Sequence, residues 1–113
     1  MRVRIQARDF ALTDALRQHT ERRVRFALTR FASRLQQVTV RLDDVNGPRR
    51  GVDKRCSIQI SVSRQPQVVV EDTEADLYEA IDHAVARAGR IVGRNLARER
   101  AFQNPPSMAR SPG

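Results

Sequence analysis

The stretch RCSIQISVSRQPQVVVEDT, residues 55–73, decides the fold. Its first part alternates polar side chains with the apolar ones of Cys56, Ile58, Ile60 and Val62. A period of two predicts a β-strand with one buried face. The segment SRQPQ, residues 63–67, contains Pro66 and predicts a hairpin turn, with a further strand over residues 67–73. A hairpin that is apolar on one face must be covered by other elements.

Two more segments share this alternation. Residues 2–8, RVRIQAR, predict a first strand, and residues 37–43 predict another, with Val38, Val40 and Leu42 on its apolar face. Between the second strand and the hairpin, NGPRRG at residues 46–51 predicts a turn or a mobile loop. The opposite face of the sheet is predicted to be exposed to solvent and to carry the side chains of Arg2, Arg4, Arg8, Arg41 and Arg55.

The remaining segments have helical periodicity. A first helix is predicted over residues 14–32, capped by Thr13, and a second over residues 76–102, capped by Thr73 or Asp76. The apolar stripe of the first comprises Leu16, Thr20, Val24, Ala27, Leu28, Phe31 and Leu35. The stripe of the second comprises Leu77, Ile81, Ala84, Val85, Ala88, Val92 and Leu96.

The order strand, helix, three strands, helix predicts an α+β fold, βαβββα. Both helices would pack on one face of a four-stranded mixed sheet, since the first helix permits a parallel crossover and the short turns favour antiparallel pairing. We expect one domain over residues 1–102 and a disordered tail over residues 103–113.

The composition points to a polyanionic partner. The 113 residues have a formal net charge of +8, and Lys54 is the only lysine. Arginine holds phosphate with two hydrogen bonds and stacks on bases, so nucleic acid or an anionic membrane is the expected partner. No apolar run approaches the roughly 20 residues that span a bilayer, and no signal-peptide core is present. We therefore expect a cytoplasmic protein.

The charge changes sign along the second helix. Acidic residues precede it or occupy its start, namely Glu71, Asp72, Glu74, Asp76, Glu79 and Asp82. Residues 86–102, ARAGRIVGRNLARERAF, then place Arg87, Arg90, Arg94 and Arg98 within a strip roughly 80° wide, away from the apolar stripe.

Beside these arginines lies a strip of small residues: Ala86, Gly89, Gly93 and Ala97. Such a strip allows close approach of another backbone, either an RNA strand or a neighbouring helix. Because glycine weakens a helix interior, we expect both Gly89→Ala and Gly93→Ala to stabilise the fold.

The sequence carries no recognisable catalytic set. His19 and His83 lack the local spacing of a metal site, and Cys56 is predicted to be a buried core thiol without a disulfide partner. No glycine-rich phosphate loop follows a strand. We expect no enzyme activity, no cofactor, no metal ion and no small-molecule substrate.

Two segments carry a family resemblance that covers about residues 1–100. DFALTDALRQHTERRVRFALTRF (9–31) and EDTEADLYEAIDHAVARAGRIVGR (71–94) resemble the ribosome hibernation promoting factor and ribosome-associated inhibitor A family, also called the sigma-54 modulation protein family. LTDALR and DLYEAID, the latter followed by basic residues, are the most specific parts. The resemblance implies the same βαβββα fold. Long members carry a further C-terminal domain that pairs ribosomes, and the chain resembles either a short member or a truncated long one.

The resemblance also implies a function. Members bind the small ribosomal subunit in the channel of messenger and transfer RNA, and so silence idle ribosomes. They hold ribosomal RNA with basic residues of both helices, which by position correspond to Arg22, Arg23, Arg87, Arg90, Arg94 and Arg98. The tyrosine corresponding to Tyr78 is expected to be structural. The chain departs from its relatives in using Arg instead of Lys, in Leu96 at a commonly basic position, and in Gly89 and Gly93.

Two other functions stay open at this point. The chain could be a generic module that binds double-stranded RNA or DNA, because two helices on one sheet face resemble that architecture. It could also be a protein–protein regulator of a transcription factor, acting through the acidic start of the second helix. A monomer is the favoured oligomeric state in each case.

Overall fold

Four strands, two α-helices and a 3₁₀ helix make up the computed structural model, which describes residues 1–8, 10–44 and 53–103. In chain order the elements are β1 (Arg2–Arg8), α1 (Asp14–Leu28), a 3₁₀ helix (Thr29–Arg34), β2 (Leu35–Asp44), β3 (Lys54–Val62), β4 (Val68–Glu74) and α2 (Leu77–Gln103). The predicted loop at residues 46–51 and the predicted tail from residue 104 lie outside the described residues. Gln103, which was assigned to that tail, is the last residue of α2.

The strands form one sheet in the order β1-β2-β3-β4. β1 pairs in parallel with β2, and the other two pairings are antiparallel, with Val40 opposite Ile58 and Ile58 opposite Val70. α1 makes the crossover that a parallel pair requires. α2 packs on β3 and β4, and α1 packs on β1 and on α2. These pairings confirm the predicted mixed sheet with both helices on one face.

The core lies between the sheet and the two helices. The alternate residues of β2 and β3 and the apolar stripe of α2 are buried there, as predicted. Thr20, the polar member of the α1 stripe, is also buried, and its hydroxyl donates a hydrogen bond to the Leu16 carbonyl at 2.8 Å. That bond satisfies the hydroxyl inside the core. The Cys56 thiol is buried as well, and this burial raises its pKa to about 12.

α1 is shorter than predicted. The α-helical hydrogen bonding ends at Leu28, whose φ is −118°, and residues 29–34 continue as a 3₁₀ helix. The Arg25 carbonyl accepts from both the backbone N–H and the hydroxyl of Thr29, the residue at which the helix ends. Leu35, assigned to the helical stripe, instead opens β2. The chain thus leaves the helix early enough to enter the sheet, and Phe31 is directed towards α2.

α2 begins with a capping contact. The Asp76 carboxylate accepts a hydrogen bond from the Tyr78 backbone N–H at 3.0 Å, which identifies Asp76 as the N-cap between the two candidates. The helix spans 27 residues. Neither helix in the described part of the chain has a stretch apolar enough to cross a bilayer.

Candidate nucleic-acid interface

The small-residue strip of α2 faces α1. A Cβ built on Gly89 would lie 3.4 Å from the Ala27 Cβ, and one built on Gly93 would lie 3.1 Å from the ring of Phe31. Of the two backbones that the strip was expected to admit, the structure therefore supplies the neighbouring helix. The expectation that both Gly→Ala changes stabilise the fold is not supported at Gly89, because the contact there is with helix backbone.

A groove opens where the 3₁₀ helix meets α2. This groove, which we call the arginine groove, encloses about 430 Å³ and is lined by Arg30, Phe31, Gly89, Arg90, Gly93, Arg94 and Arg100. The Arg30 guanidinium lies 4.7 Å from the centre of the Phe31 ring, a cation–π contact that holds both side chains at the rim.

The cations of the groove are available to a ligand. Arg30, Arg90, Arg94 and Arg100 are all exposed. Among the described residues, none of these four has a carboxylate within 4.0 Å, whereas other arginines of the chain do. A guanidinium without an internal ion pair does not have to give up a carboxylate partner when it binds phosphate, so this groove is a favourable anion site on the helical face.

Arg22 and Phe26 extend this surface along α1. Positions 22 and 26 are one turn of α1 apart, which places their side chains on one helix face, and Arg30 follows in the 3₁₀ helix. Arg22 is exposed, and Phe26 is 85% exposed. An exposed aromatic ring between two arginines is a platform for base stacking, next to cations that bind phosphate.

Arg23 has a partner within the protein. Its Nε atom lies 3.2 Å from the Asp82 carboxylate of α2, which also lies 2.8 Å from His19 Nε2. The His19 ring meets the Tyr78 ring edge-on at 4.7 Å. Arg23 and His19 thus join the start of α2 to α1, and the Tyr78 ring packs against His19 at this junction.

Arg87 and Arg98 lie apart from the arginine groove. The Arg87 guanidinium donates to the Glu71 carbonyl of β4 and approaches Asp72 to 4.0 Å. Arg98 is exposed on α2, where it lines a different hollow together with Arg64 and Phe102. Of the six predicted RNA-binding residues, the structure brings Arg90 and Arg94 into the groove, places Arg22 beside it, and separates the other three from it.

The second half of α2 is held in place by Arg34 and Glu99. Arg34 donates two hydrogen bonds to the Glu99 carboxylate, at 2.6 and 3.0 Å, and a third to the Ser63 carbonyl at 2.7 Å. The Gln65 amide donates to Glu99 at 2.7 Å. These donors lower the pKa of Glu99 to about 2, with the Arg34 hydrogen bond as the largest cause. The contacts link the 3₁₀ helix, the hairpin turn and the part of α2 that carries Arg94 and Arg100.

Asp72, Glu74 and His83 form a cluster between β4 and α2. Each offers one potential ligand atom, and the three atoms lie within 4.8 Å of one another. His83 Nδ1 lies 3.0 Å from Glu74, and this hydrogen bond raises the pKa of His83 and lowers that of Glu74. These three side chains could bind a divalent cation. Such a cation would have to compete for the two carboxylates with His83, which contacts Glu74, and with Arg87, which approaches Asp72. Local spacing could not reveal it, because only β4–α2 packing brings His83 to the acids.

The comparison with protein families covers most of the chain. The family model described as "Sigma 54 modulation protein / S30EA ribosomal protein" matches residues 3–100. The chain belongs to the sigma 54 modulation protein / S30EA ribosomal protein family. This confirms the resemblance found in the two helices. The description of the family names a modulation protein and a ribosomal protein rather than an enzyme. A comparison with curated proteins gives no match.

Solved structures resemble this family member in fold. The N-terminal domain of Protein Y from Thermus thermophilus is 29% identical, with a TM-score of 0.70, and the match covers 84% of this chain and 99% of that chain. A ribosomal subunit interface protein from Coxiella burnetii is 12% identical, also with a TM-score of 0.70, and the match covers 86% and 99% of the two chains. At that lower identity the likeness concerns the fold alone.

Three residues of this family member join the site although they were not among the six predicted. They are Phe26, Arg30 and Arg100. Arg100 follows Gly93 by seven residues, which is two turns of helix. A helical-wheel projection could therefore have indicated that Arg100 lies on the same side of α2 as Gly93. Arg30 reaches the groove through the 3₁₀ helix, which no periodic pattern in the sequence predicts.

Proposed function

We propose that this family member is a ribosome-associated hibernation factor that binds the small subunit through ribosomal RNA and blocks the channel of messenger and transfer RNA. The single observation that supports it best is the arginine groove on the helical face, where four exposed cations have no carboxylate within 4.0 Å among the residues that the structure describes. Family membership supplies the ribosome as the source of the RNA. The proposal includes a cytoplasmic location and a monomeric free protein over residues 1–102.

Phosphate binding explains why these cations would act together. Each guanidinium that neutralises a phosphate releases a condensed counterion, so the logarithm of the binding constant falls linearly with the logarithm of salt concentration. Such contacts recognise the shape and backbone of folded RNA more than its base sequence. Occlusion then requires only that the bound domain fill space that messenger or transfer RNA would use.

Different arginines have different expected roles. Arg90 and Arg94 would contact phosphate directly, with Arg22, Arg30 and Arg100 around them. Arg23 and Arg87 would act mainly by holding the helices and β4 together, because each already contacts an acid or a carbonyl of the chain. Arg98 would contact RNA only if the bound segment extends around α2.

The experiment is co-sedimentation with isolated small subunits over a series of salt concentrations. We expect Arg90→Gln/Arg94→Gln to weaken binding by at least about tenfold and to lower the salt slope by about 2. Arg17→Gln/Arg25→Gln is the matched control, since both arginines are exposed on α1 outside the groove. Equal binding by the two double variants would refute the assignment of the groove. Failure of the wild-type chain to sediment with subunits at low salt would refute the function.

The occlusion step has its own readout. Pre-bound protein should prevent a short messenger and initiator transfer RNA from binding the small subunit, and Arg90→Gln/Arg94→Gln should restore their binding. Simultaneous binding of all three would contradict occlusion while leaving ribosome association intact.

The generic nucleic-acid module differs from this proposal in competition. A generic module would be displaced from subunits by an equal concentration of free duplex RNA. The third function, a protein–protein regulator, would use the acids at the start of α2. Asp82 is already engaged by His19 and Arg23, which removes one of the acids that such a partner would need.

A further inference from the structure

The outer face of the sheet carries a second group of cations, on the side away from the helices. Alternation along β1 exposes Arg2, Arg4 and Arg8, while Val3 and Ile5 pack against the core. Arg41 of β2 is exposed on the same face, where its Nε donates to Gln6 at 3.4 Å. We call this surface, composed of Arg2, Arg4, Gln6, Arg8 and Arg41, the β1 face.

The β1 face is uneven in charge. Within the described ranges, Arg2, Arg4, Arg8 and Arg41 have no carboxylate within 4.0 Å. Arg55, the other arginine of the outer sheet face, contacts Asp43 at 3.2 Å and Glu71 at 4.0 Å. The ion-paired groups thus lie towards β3 and β4, and the unpaired cations towards β1. A hollow of about 720 Å³ that includes Arg8 and Arg41 lies between the two halves.

The spacing of these cations suits an extended polyanion. Alternate residues of a strand are about 6.6 Å apart, so Arg2, Arg4 and Arg8 form a straight row along the edge of the sheet. Each guanidinium can hold a phosphate with two parallel hydrogen bonds. Charges on an edge strand also prevent edge-to-edge aggregation. That role needs charge on β1 alone, whereas Arg41 extends the row onto the interior strand β2.

We propose that the β1 face is a second RNA-backbone surface, so that the protein holds two RNA segments at once, one on each side of the sheet. The sheet and the helix layer lie between the arginine groove and the β1 face, so one straight RNA helix cannot contact both. The choice of ribosomal RNA as the ligand rests on the proposed function. The placement of the arginine groove and the β1 face on opposite sides of the sheet is independent of that function.

The first test compares three double variants in the small-subunit salt series. Arg4→Gln/Arg8→Gln is expected to weaken binding about tenfold and lower the salt slope by about 2, as is Arg90→Gln/Arg94→Gln. The two losses should multiply in the quadruple variant, because the sites are separate. Arg17→Gln/Arg25→Gln is the control. If Arg4→Gln/Arg8→Gln binds like this control, the second surface is refuted while the groove stands.

The second test locates the RNA on each face. Gln6→Cys on the β1 face and Ala97→Cys on the helical face are exposed positions for a benzophenone crosslinker. Position 6 and position 97 should crosslink to different segments of ribosomal RNA. RNA crosslinks from position 97 alone overturn the second surface and keep the proposed function. RNA crosslinks from position 6 alone overturn the groove instead, and crosslinks from neither overturn both.

Discussion

Gly89 of α2 lies against the backbone of Ala27 in α1. A Cβ at position 89 would be 3.3 Å from the Ala27 carbonyl oxygen, closer than side chains normally approach a fixed helix backbone. Glycine in a helix interior costs about 1 kcal/mol relative to alanine. Here that cost accompanies a close crossing of the only two α-helices in the described part of the chain. The crossing brings Arg30 of the segment after α1 to the same groove as Arg90.

The two glycines should respond differently to the same substitution. Gly89→Ala pushes on helix backbone, and overpacking costs about 1–3 kcal/mol, so we expect a net loss of about 1 kcal/mol in the free energy of unfolding. Gly93→Ala meets only the tip of the Phe31 ring, which can tilt, so we expect a gain of about 0.5 kcal/mol. Urea unfolding measures both. Equal stabilisation by the two changes would contradict the close crossing at Gly89.

Phe26 should contribute to RNA binding without contributing to stability. Its ring is 85% exposed, so Phe26→Ala should change the free energy of unfolding by less than about 0.5 kcal/mol. Loss of base stacking should weaken small-subunit binding by about tenfold. Phe102→Ala is the matched control, because that ring is 87% exposed at the far end of α2. Equal effects of the two changes on binding would argue against stacking at Phe26.

Glu99 should make stability depend on acid. Its folded pKa of about 2 lies below the ordinary value of 4.5 for a glutamate, so its stabilisation is complete above about pH 4.5 and is lost as the pH falls towards 2. Glu99→Gln should therefore be less stable than the wild type at neutral pH, with the difference shrinking in acid. Urea midpoints at pH 7, 4 and 2.5 follow this change. A pH-independent difference would show that the ion pair with Arg34 is not its origin.

His83 should act in the opposite direction. Its pKa is raised above 6.5 by the Glu74 hydrogen bond, so its stabilisation is complete at pH values below 6.5 and is lost as the pH rises through the folded pKa. His83→Gln should flatten the pH dependence of stability between about pH 6 and 8. Glu74→Gln should flatten it too, since it removes the same hydrogen bond. An unchanged slope in both variants would exclude this pair as its source.

Local periodicity was sufficient for the architecture. The alternation in β3 and the apolar stripe of α2 identify which residues face the core. Because the apolar face of the sheet and the apolar faces of the helices must all be buried, few arrangements of these elements are possible. The end of α1 could not be obtained this way. The change to a 3₁₀ helix at Thr29 and the entry of the chain into β2 at Leu35 leave the apolar spacing of the sequence unaltered.

The site was predictable as a surface but not residue by residue. Angular position places Arg87 and Arg90 on one strip of α2, yet Arg87 reaches the Glu71 carbonyl and Arg90 does not. Whether a guanidinium is engaged depends on contacts between residues far apart in the chain. Angular position around α2 likewise placed Gly89 in a strip of small residues, but it did not specify whether a helix or an RNA strand would approach that strip.

Cys56 has a practical consequence for observing the protein at work. Its thiol is buried in β3 opposite Asp72, and burial raises its pKa to about 12, so a thiol reagent can reach it only when the sheet opens. The rate of its modification therefore reports the population of opened molecules, as the hydrogen-exchange rate of a single buried amide would. Added small subunits should slow that rate in proportion to the fraction of protein bound. Modification of Cys56 can thus measure the fraction of protein bound to small subunits without an introduced cysteine.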